Sequence, residues 1–432
     1  MLVIDGGRPL RGTVTASGAK NAALPIMAAS ILAEGPVELA RVPRLTDVET
    51  ISAVLRSLGL QIERDRDRLR LETLDDCRVR ADHRYVRRMR GSFCVLGPLV
   101  ARRGRAIVSL PGGCSIGDRP IDLHLRGLAE LGADVRLTGG YCVVTAKRLR
   151  GARIDLVGPR GPSVTATANV MSAATLARGL TVIDGAAREP EIVDLGRFLV
   201  ALGARIDGLG TSTIEIDGVE SLGSAEHTLI PDRIEAVTLL LAGAITGGSV
   251  TVEGVEPTHM ASVLEVLDRA GATISQNRNC VTLDARRRLR AFEVDARPHP
   301  GVPTDVQAQL MALATIAVGT STITDHVFPE RFAHVAELRR LGAHIVRSRN
   351  AATINGVAEL TGAPVVASDL RASAALVLAG LAARGRTVIS RVHHLERGYE
   401  QFDAKLRSLG ASIQKRSALH RHRQPARSAS EG

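Results

Sequence analysis

One unit is written six times along this chain. The strings LRSLGL, LAELGA, LVALGA, LDRAGA, LRRLGA and LRSLGA place Gly59, Gly132, Gly203, Gly271, Gly342 and Gly410 at intervals of 68 to 73 residues. A second series runs between them in phase: Gly35, Gly104, Gly179, Gly247, Gly319 and Gly385. Two series in step define an internal repeat, and a repeat of this length is a supersecondary unit that buries its apolar face against its neighbours.

Each unit has the same pattern. A short strand leads into a helix rich in Ala and Leu, such as NAALPIMAASILAEG or ASAALVLAGLAARG. A glycine closes that helix, where a left-handed residue is wanted. A strand follows, then an amphipathic helix ending at LGA, as in EIVDLGRFLVALGA, with apolar residues three and four apart. Alternating strands complete the unit; in RIDGLGTSTIEIDG the GLG is the hairpin turn. The Ala-rich helices have almost no polar face, so they are expected inside. The predicted fold is α/β, with one buried and one surface helix per unit against a sheet, and two domains of three units each.

Composition sets what this architecture is made from and what it meets. Aromatic residues are 2% of the chain, so the core is aliphatic. The opening MLVIDGGRPLRG does not read as a signal peptide, and no apolar run is long enough to span a bilayer. Cys77, Cys94, Cys114, Cys142 and Cys280 are widely spaced with no CxxC, which predicts neither disulfides nor a zinc site. A reducing cytoplasm is expected. The net charge of +11 calls for anionic partners. The arginines are dispersed and stacking platforms are nearly absent, so small anionic substrates are expected rather than nucleic acid or membrane. The basic tail, residues 414–432, has no periodicity and is expected to be disordered.

The entrances to the buried helices carry the chemistry. They hold Lys20 and Asn21, then Arg90, then Ser163 and Thr165, then Asp232, Arg233 and Glu235, then Asp305, then Asp369 and Arg371. N-capping accounts for Ser163, Asp232, Asp305 and Asp369. It does not account for Lys20, Arg90, Arg233 and Arg371, because a cation in a first turn opposes the helix dipole. Cations at equivalent entrances predict a shared site for phosphate and carboxylate. No GxxxxGK[ST] and no HExxH is present, and the adjacent His393 and His394 are read as solvated loop residues rather than metal ligands. One further stretch, SLPGGCSIGDRPIDLH from Ser109 to His124, is a glycine-rich loop that carries Cys114 beside Asp118 and Arg119.

These segments, with LTDVET, AAREPEIVDL, PDRIEA, PHPGVPTDVQAQ, VFPERF and SDLRASAALVLAG, make the chain resemble the enolpyruvyl transferases over nearly its whole length. The resemblance implies two inside-out α/β domains of three βαβαββ repeats around buried helices. The first would comprise residues 1–20 and 231–413, and the second residues 21–230 with the Cys114 loop. The loop favours the branch of the family that acts on a UDP-sugar over the branch that acts on shikimate phosphate. The implied substrates are phosphoenolpyruvate and UDP-N-acetylglucosamine, with no metal or organic cofactor. The family match assigns Lys20, Arg119 and Arg397 to the phosphate of phosphoenolpyruvate, and Arg331 and Arg371 to its carboxylate. It assigns Asp305 as base and Cys114 as acid, with Lys20 and Arg397 among the catalytic groups. Asn21, Arg90, Thr304, Asp305 and Val327 match positions near the sugar. Arg119, Pro120, Ile121, Asp122, Leu123, His124, Ser163, Val164 and Thr165 match the uridine and diphosphate site. The chain departs from the family pattern at Asp118, Thr165, Val237, Pro329 and Glu330. Transfer to a different uridine nucleotide, or a non-catalytic anion-binding scaffold, are the alternatives.

Overall fold

A computed structural model describes residues 1–111 and 120–416. Within them the repeat becomes six four-stranded sheets of one design. In each, an edge strand pairs in parallel with the strand that follows the buried helix, and two antiparallel strands complete the sheet. In one unit Arg153–Asp155 runs parallel to Leu180–Asp184, which pairs antiparallel with Thr213–Asp217, itself paired with Arg205–Asp207. Glu293–Ala296, Thr320–Asp325, Ala351–Asn355 and His344–Ser348 repeat that order. A parallel pair needs a crossover, and in four sheets the Ala-rich helix supplies it. In the other two, Arg11–Thr15 pairs with Ser249–Glu253 and Val37–Ala40 with Ala225–Thr228, partners exchanged where the chain passes between the two halves.

All six LGA-type glycines have positive φ, between 87° and 110°. At Gly59 a side chain would also be blocked, since a Cβ would lie 2.3 Å from the Asp75 carbonyl oxygen. Of the second series, Gly104, Gly179, Gly247, Gly319 and Gly385 are also left-handed. Gly35 is not, because the first unit ends its helix through a 3-10 turn, Ser30–Leu32, instead of a left-handed cap.

The Ala-rich helices are inside, as their missing polar face predicts. Arg233–Ile245 and Gln307–Ala314 are buried along their whole length. They pack with Leu370–Ala382 in one hydrophobic cluster, drawn from residues 2–16 and 234–413. A second cluster, from residues 19–229, holds Lys20–Ala29, Leu96–Arg103 and Val164–Ala174. Small residues let these helices approach: a Cβ on Gly97 would fall 2.1 Å from the Asn169 carbonyl oxygen. A buried Leu or Ile contributes about 1.5–3 kcal/mol, and Ala mainly permits that closeness.

The chain passes between the clusters twice, side by side. Ala19 N–H donates to the Ile230 carbonyl at 2.8 Å and Asp232 N–H to the Ser17 carbonyl at 2.9 Å. Gly18 is required there, since its Cβ would stand 1.8 Å from the Arg41 carbonyl oxygen. Asp232 then caps two helices at once. Its Oδ1 accepts from Ile234 and Glu235 in its own helix, and its Oδ2 accepts from Lys20 N–H at 3.1 Å. The two crossings therefore bring the entrances of helices from both clusters together.

The last strand, Ser412–Lys415, pairs with Leu2–Asp5, so residues 414 and 415 belong to a sheet and not to the tail expected from residue 414. The N-terminal strand supplies backbone partners that the tail's own composition does not reveal. Residues 417–432 lie outside the described residues.

Candidate active site

Asp305 stands where the helix entrances meet. Sequence logic offers it as an N-cap, but it accepts no capping hydrogen bond from its own 3-10 turn, Thr304–Val306. Its carboxylate faces two guanidinium groups instead. Oδ1 accepts from Arg331 Nη1 at 2.8 Å, and Oδ2 accepts from Arg371 Nη2 at 2.9 Å and from Asn21 Nδ2 at 3.3 Å. Burial pushes this carboxyl up, but Arg371 and Arg331 outweigh it and hold it well below the usual carboxylate range. Burial pulls the Arg371 guanidinium down, and Asp305 more than restores it.

Each arginine is braced from behind. Arg371 lies over the Tyr399 ring, 5.4 Å from its centroid, and the Tyr399 hydroxyl is held by Thr238 and Gln309. Asp369 caps the helix that carries Arg371, accepting from Arg371 and Ala372 N–H at 3.0 Å each. Arg331 Nη1 also donates to Thr304 Oγ1, which in turn donates to Asp325 at 2.6 Å. The other oxygen of Asp325 accepts from Val327 and Phe328 N–H, fixing the loop that holds Val327.

A second buried carboxylate works the same way. Asp47, in the first turn of Thr46–Ser57, is 3% exposed; its Oδ2 lies 2.6 Å from Lys20 Nζ and its Oδ1 accepts from Arg397 Nε at 2.9 Å. Lys20 and Asp47 come from one hydrophobic cluster's side and Arg397 from the other. Burial pushes the Lys20 ammonium below its ordinary value, Asp47 pulls it back, and Arg371 and Arg397 push it down further. Lys20 adjoins Asn21 in sequence and senses Arg371, so the two carboxylates belong to one basic site.

A third group lies at the entrance of Val164–Ala174. Ser163 caps that helix, accepting from Ala166 N–H at 3.3 Å. Asn169 is oriented without ambiguity: its Oδ1 accepts from Gly97 N–H and its Nδ2 donates to the Phe93 carbonyl. The same Nδ2 lies 2.8 Å from His124 Nδ1, which must therefore be the acceptor. The His124 proton is then on Nε2, which donates to Thr165 Oγ1 at 3.0 Å. Arg90 Nη2 donates to the Pro120 carbonyl at 3.0 Å, and Ile121, Asp122 and Leu123 continue into the helix that carries His124. Val164 opens its own helix beside Thr165.

Cys114, Arg119 and Asp118 lie outside the described residues. Arg233, expected among the anion-binding cations, is committed elsewhere: Glu191 takes its Nε at 2.9 Å and its Nη2 at 3.0 Å. His393 is exposed, but His394 is half-buried with both ring nitrogens unpartnered, and burial lowers its pKa. It sits in a 3-10 turn packed against the core instead of a solvated loop. Sequence reasoning assigned no role to Asp47, Asp325, Tyr399 or Asn169. Asp47 stood in the quoted LTDVET, where a first-turn acid passes for a dipole partner. Among the described residues no group of three or more His, Cys, Asp or Glu is placed to hold a metal ion, and no helix is long and apolar enough to cross a membrane.

Two clusters of α/β repeats meeting at a basic, carboxylate-lined site are the architecture of the enolpyruvyl-transferring enzymes. The family model of EPSP synthase (3-phosphoshikimate 1-carboxyvinyltransferase) matches residues 4–406, and the chain belongs to this family. It is 52% identical to the UDP-N-acetylglucosamine 1-carboxyvinyltransferase of Myxococcus xanthus, over 96% of this chain and 99% of that protein. The protein of the same name from Methylacidiphilum infernorum is 49% identical over 95% and 97%. Among solved structures, the enolpyruvyl transferase NikO from Streptomyces tendae superposes with a TM-score of 0.86 at 29% identity, covering 96% of this chain and 98% of that one. EPSP synthase from Acinetobacter baumannii shares the fold, with a TM-score of 0.74 at 20% identity over 96% and 99%.

Proposed function

We propose that this protein transfers the enolpyruvyl group of phosphoenolpyruvate to the 3′-hydroxyl of UDP-N-acetylglucosamine, releasing inorganic phosphate, as a cytoplasmic step of peptidoglycan precursor synthesis. The observation that carries it is Asp305 held between Arg331 and Arg371 beside Asn21. A carboxylate base and bidentate cations then share one site, as addition of a hydroxyl to an anionic enol ester requires.

The sugar hydroxyl attacks C2 of phosphoenolpyruvate as Asp305 takes its proton, and C3 gains a proton from Cys114. The tetrahedral adduct then returns a proton from C3 to the Cys114 thiolate and breaks its C2–O bond to phosphate, which departs with the proton taken by Asp305, leaving the enol ether. Lys20, Arg119 and Arg397 carry the phosphate and stabilise it as it leaves. Arg331 and Arg371 take the carboxylate, which frees Asp305 from the pairs that hold its pKa down. A carboxylate so released is a better base, so substrate binding would itself arm the step.

The roles given to Asn21, Arg90, Thr304 and Val327 at the sugar, and to Pro120, Ile121, Asp122, Leu123, His124, Ser163, Val164 and Thr165 at the nucleotide, belong to the same proposal. The Thr165 side chain, bonded to His124, also favours a second reading, transfer to a different uridine nucleotide. Phosphate release from phosphoenolpyruvate with a panel of uridine nucleotides tests both. Release with UDP-N-acetylglucosamine that persists in EDTA supports the first reading. Release with UMP and none with the sugar nucleotide selects the second.

A further inference from the structure

Each of the two buried carboxylates of the site joins a pair of cations. Asp47 links Lys20 to Arg397, and Asp305 links Arg331 to Arg371. Arg331 and Arg371 are 6% and 2% exposed, and each keeps a buried nitrogen without a partner, Nε of Arg331 and Nη1 of Arg371. A buried guanidinium that leaves an N–H unmatched forfeits a charge-assisted hydrogen bond. The donors are thus in excess of what Asp305 can accept, and the surplus suits a second, planar carboxylate. Around Asp47 the surplus is of charge: Lys20 and Arg397 oppose one acid, with Arg371 near enough to depress the lysine further.

In these direct ion pairs four cations face two acids, an excess of two positive charges that Asp232 and Asp325 offset only from farther off. A ligand with a phosphate and a carboxylate brings about three negative charges, more than that excess. The acids of the protein and of the ligand compete for the same N–H groups. On the enolpyruvyl-transfer reading, on which this inference rests, we propose that Asp47 and Asp305 are placeholders. Each holds its cation pair together for one anionic group of the phosphorylated carboxylic acid and gives up contacts when that group arrives. Asp47 stands in for the phosphate and Asp305 for the carboxylate. Placeholder carboxylates keep like charges from driving the site apart, and their loss of partners couples binding to the contact between the two halves of the molecule.

The test is binding, read apart from turnover. Titration calorimetry with phosphoenolpyruvate is compared for wild type, Asp305→Asn and Asp47→Asn, and with inorganic phosphate for wild type and Asp47→Asn. The expected result is tighter phosphoenolpyruvate binding by Asp305→Asn, by about tenfold, the equivalent of about 1.4 kcal/mol, even as its turnover collapses. Asp47→Asn is expected to bind phosphate more tightly by a similar factor. Unchanged or weaker binding of phosphoenolpyruvate by a folded Asp305→Asn, or of phosphate by a folded Asp47→Asn, overturns the proposal. Should either variant fail to fold, a structure of wild type with phosphoenolpyruvate decides. Asp305 leaving hydrogen-bond range of Arg331 or Arg371 supports the placeholder, and retention of both contacts overturns it. Wild type that binds phosphoenolpyruvate without releasing phosphate sinks the acceptor reading alone and leaves this comparison standing.

Discussion

Arg233 and Glu191 pair in parallel, Nε to Oε1 at 2.9 Å and Nη2 to Oε2 at 3.0 Å, across the boundary between the two hydrophobic clusters. Both side chains are buried, at 7% and 5% exposure. Burial raises the Glu191 carboxyl, and Arg233 more than reverses that, so its pKa is below the usual value. Removing one partner strands the other charge. Glu191→Gln is expected to lower stability by roughly 3–5 kcal/mol, read as a shift of the urea midpoint at unchanged slope. Because the folded pKa is depressed, this contribution is full above the ordinary glutamate value of about 4.3 and is lost as pH falls through the folded value. The wild-type advantage over Glu191→Gln should therefore shrink only in acid. A constant gap down through that range would show that Glu191 does not act through its charge.

Asp305→Asn is expected to reduce phosphate release by about two to four orders of magnitude, the usual worth of a general base. Its melting temperature should fall, because Arg331 and Arg371 are left buried without the carboxylate between them, so turnover is compared well below the transition. A destabilised but fully active variant would return Asp305 to a structural role.

The hydroxyl of Thr165 receives the His124 proton, so its own hydrogen is free to be donated onward. Thr165→Val keeps the shape and removes that donor. It is expected to raise KM for the uridine nucleotide about tenfold with kcat unchanged, the signature of lost uniform binding. A Gln places its amide nitrogen where histidine has Nε2, and Asn reaches only as far as Nδ1. His124→Gln should therefore bind UDP several-fold more tightly than His124→Asn. Long-range nitrogen–proton correlation spectra should show the proton of His124 on Nε2; a proton on Nδ1 would refute the assignment.

Asp369→Ala removes a cap with two N–H bonds and is expected to cost about 1 kcal/mol. It also loosens the first turn that aims Arg371, so KM for phosphoenolpyruvate should rise along with the stability loss. A stability loss with no change in KM would separate the cap from the site.

Thiol chemistry should single out one cysteine. Cys94 and Cys142 are buried, and burial pushes the Cys142 thiol up to about 11. Both should resist alkylation in the native protein. Cys77 is exposed and Cys280 partly so; each should react at an ordinary rate. Fosfomycin should label Cys114 faster than any of these, and faster still with the UDP-sugar present, as peptide mass spectrometry would show. Label found first on another cysteine would remove Cys114 from the role of acid.

Much of this architecture was legible because it is local and repeated. The left-handed glycines at LGA, the all-apolar helices and the caps at Ser163, Asp232 and Asp369 each follow from a few neighbouring residues. The site was legible in part. Lys20 and Arg371 stood out as cations where a helix dipole disfavours them, and both reach the basic centre. Arg233 raised the same signal and leads instead to Glu191, 42 positions away. Asp305 looked like a cap and is not one. Nothing near Asp47 foretold a partner 350 positions away in Arg397.

The sequence by itself determined the unit, its six copies and which helices go inside, because periodicity and backbone conformation depend on residues within a turn or two of one another. Only the tertiary structure decided which charges meet. An ion pair is worth little until both members are buried together, and burial at the crossings depends on Gly18, on Asp232 capping two helices and on two cores closing at once. That is why Asp305 faces Arg331 and Arg371, and why Asp47 holds Lys20 against Arg397.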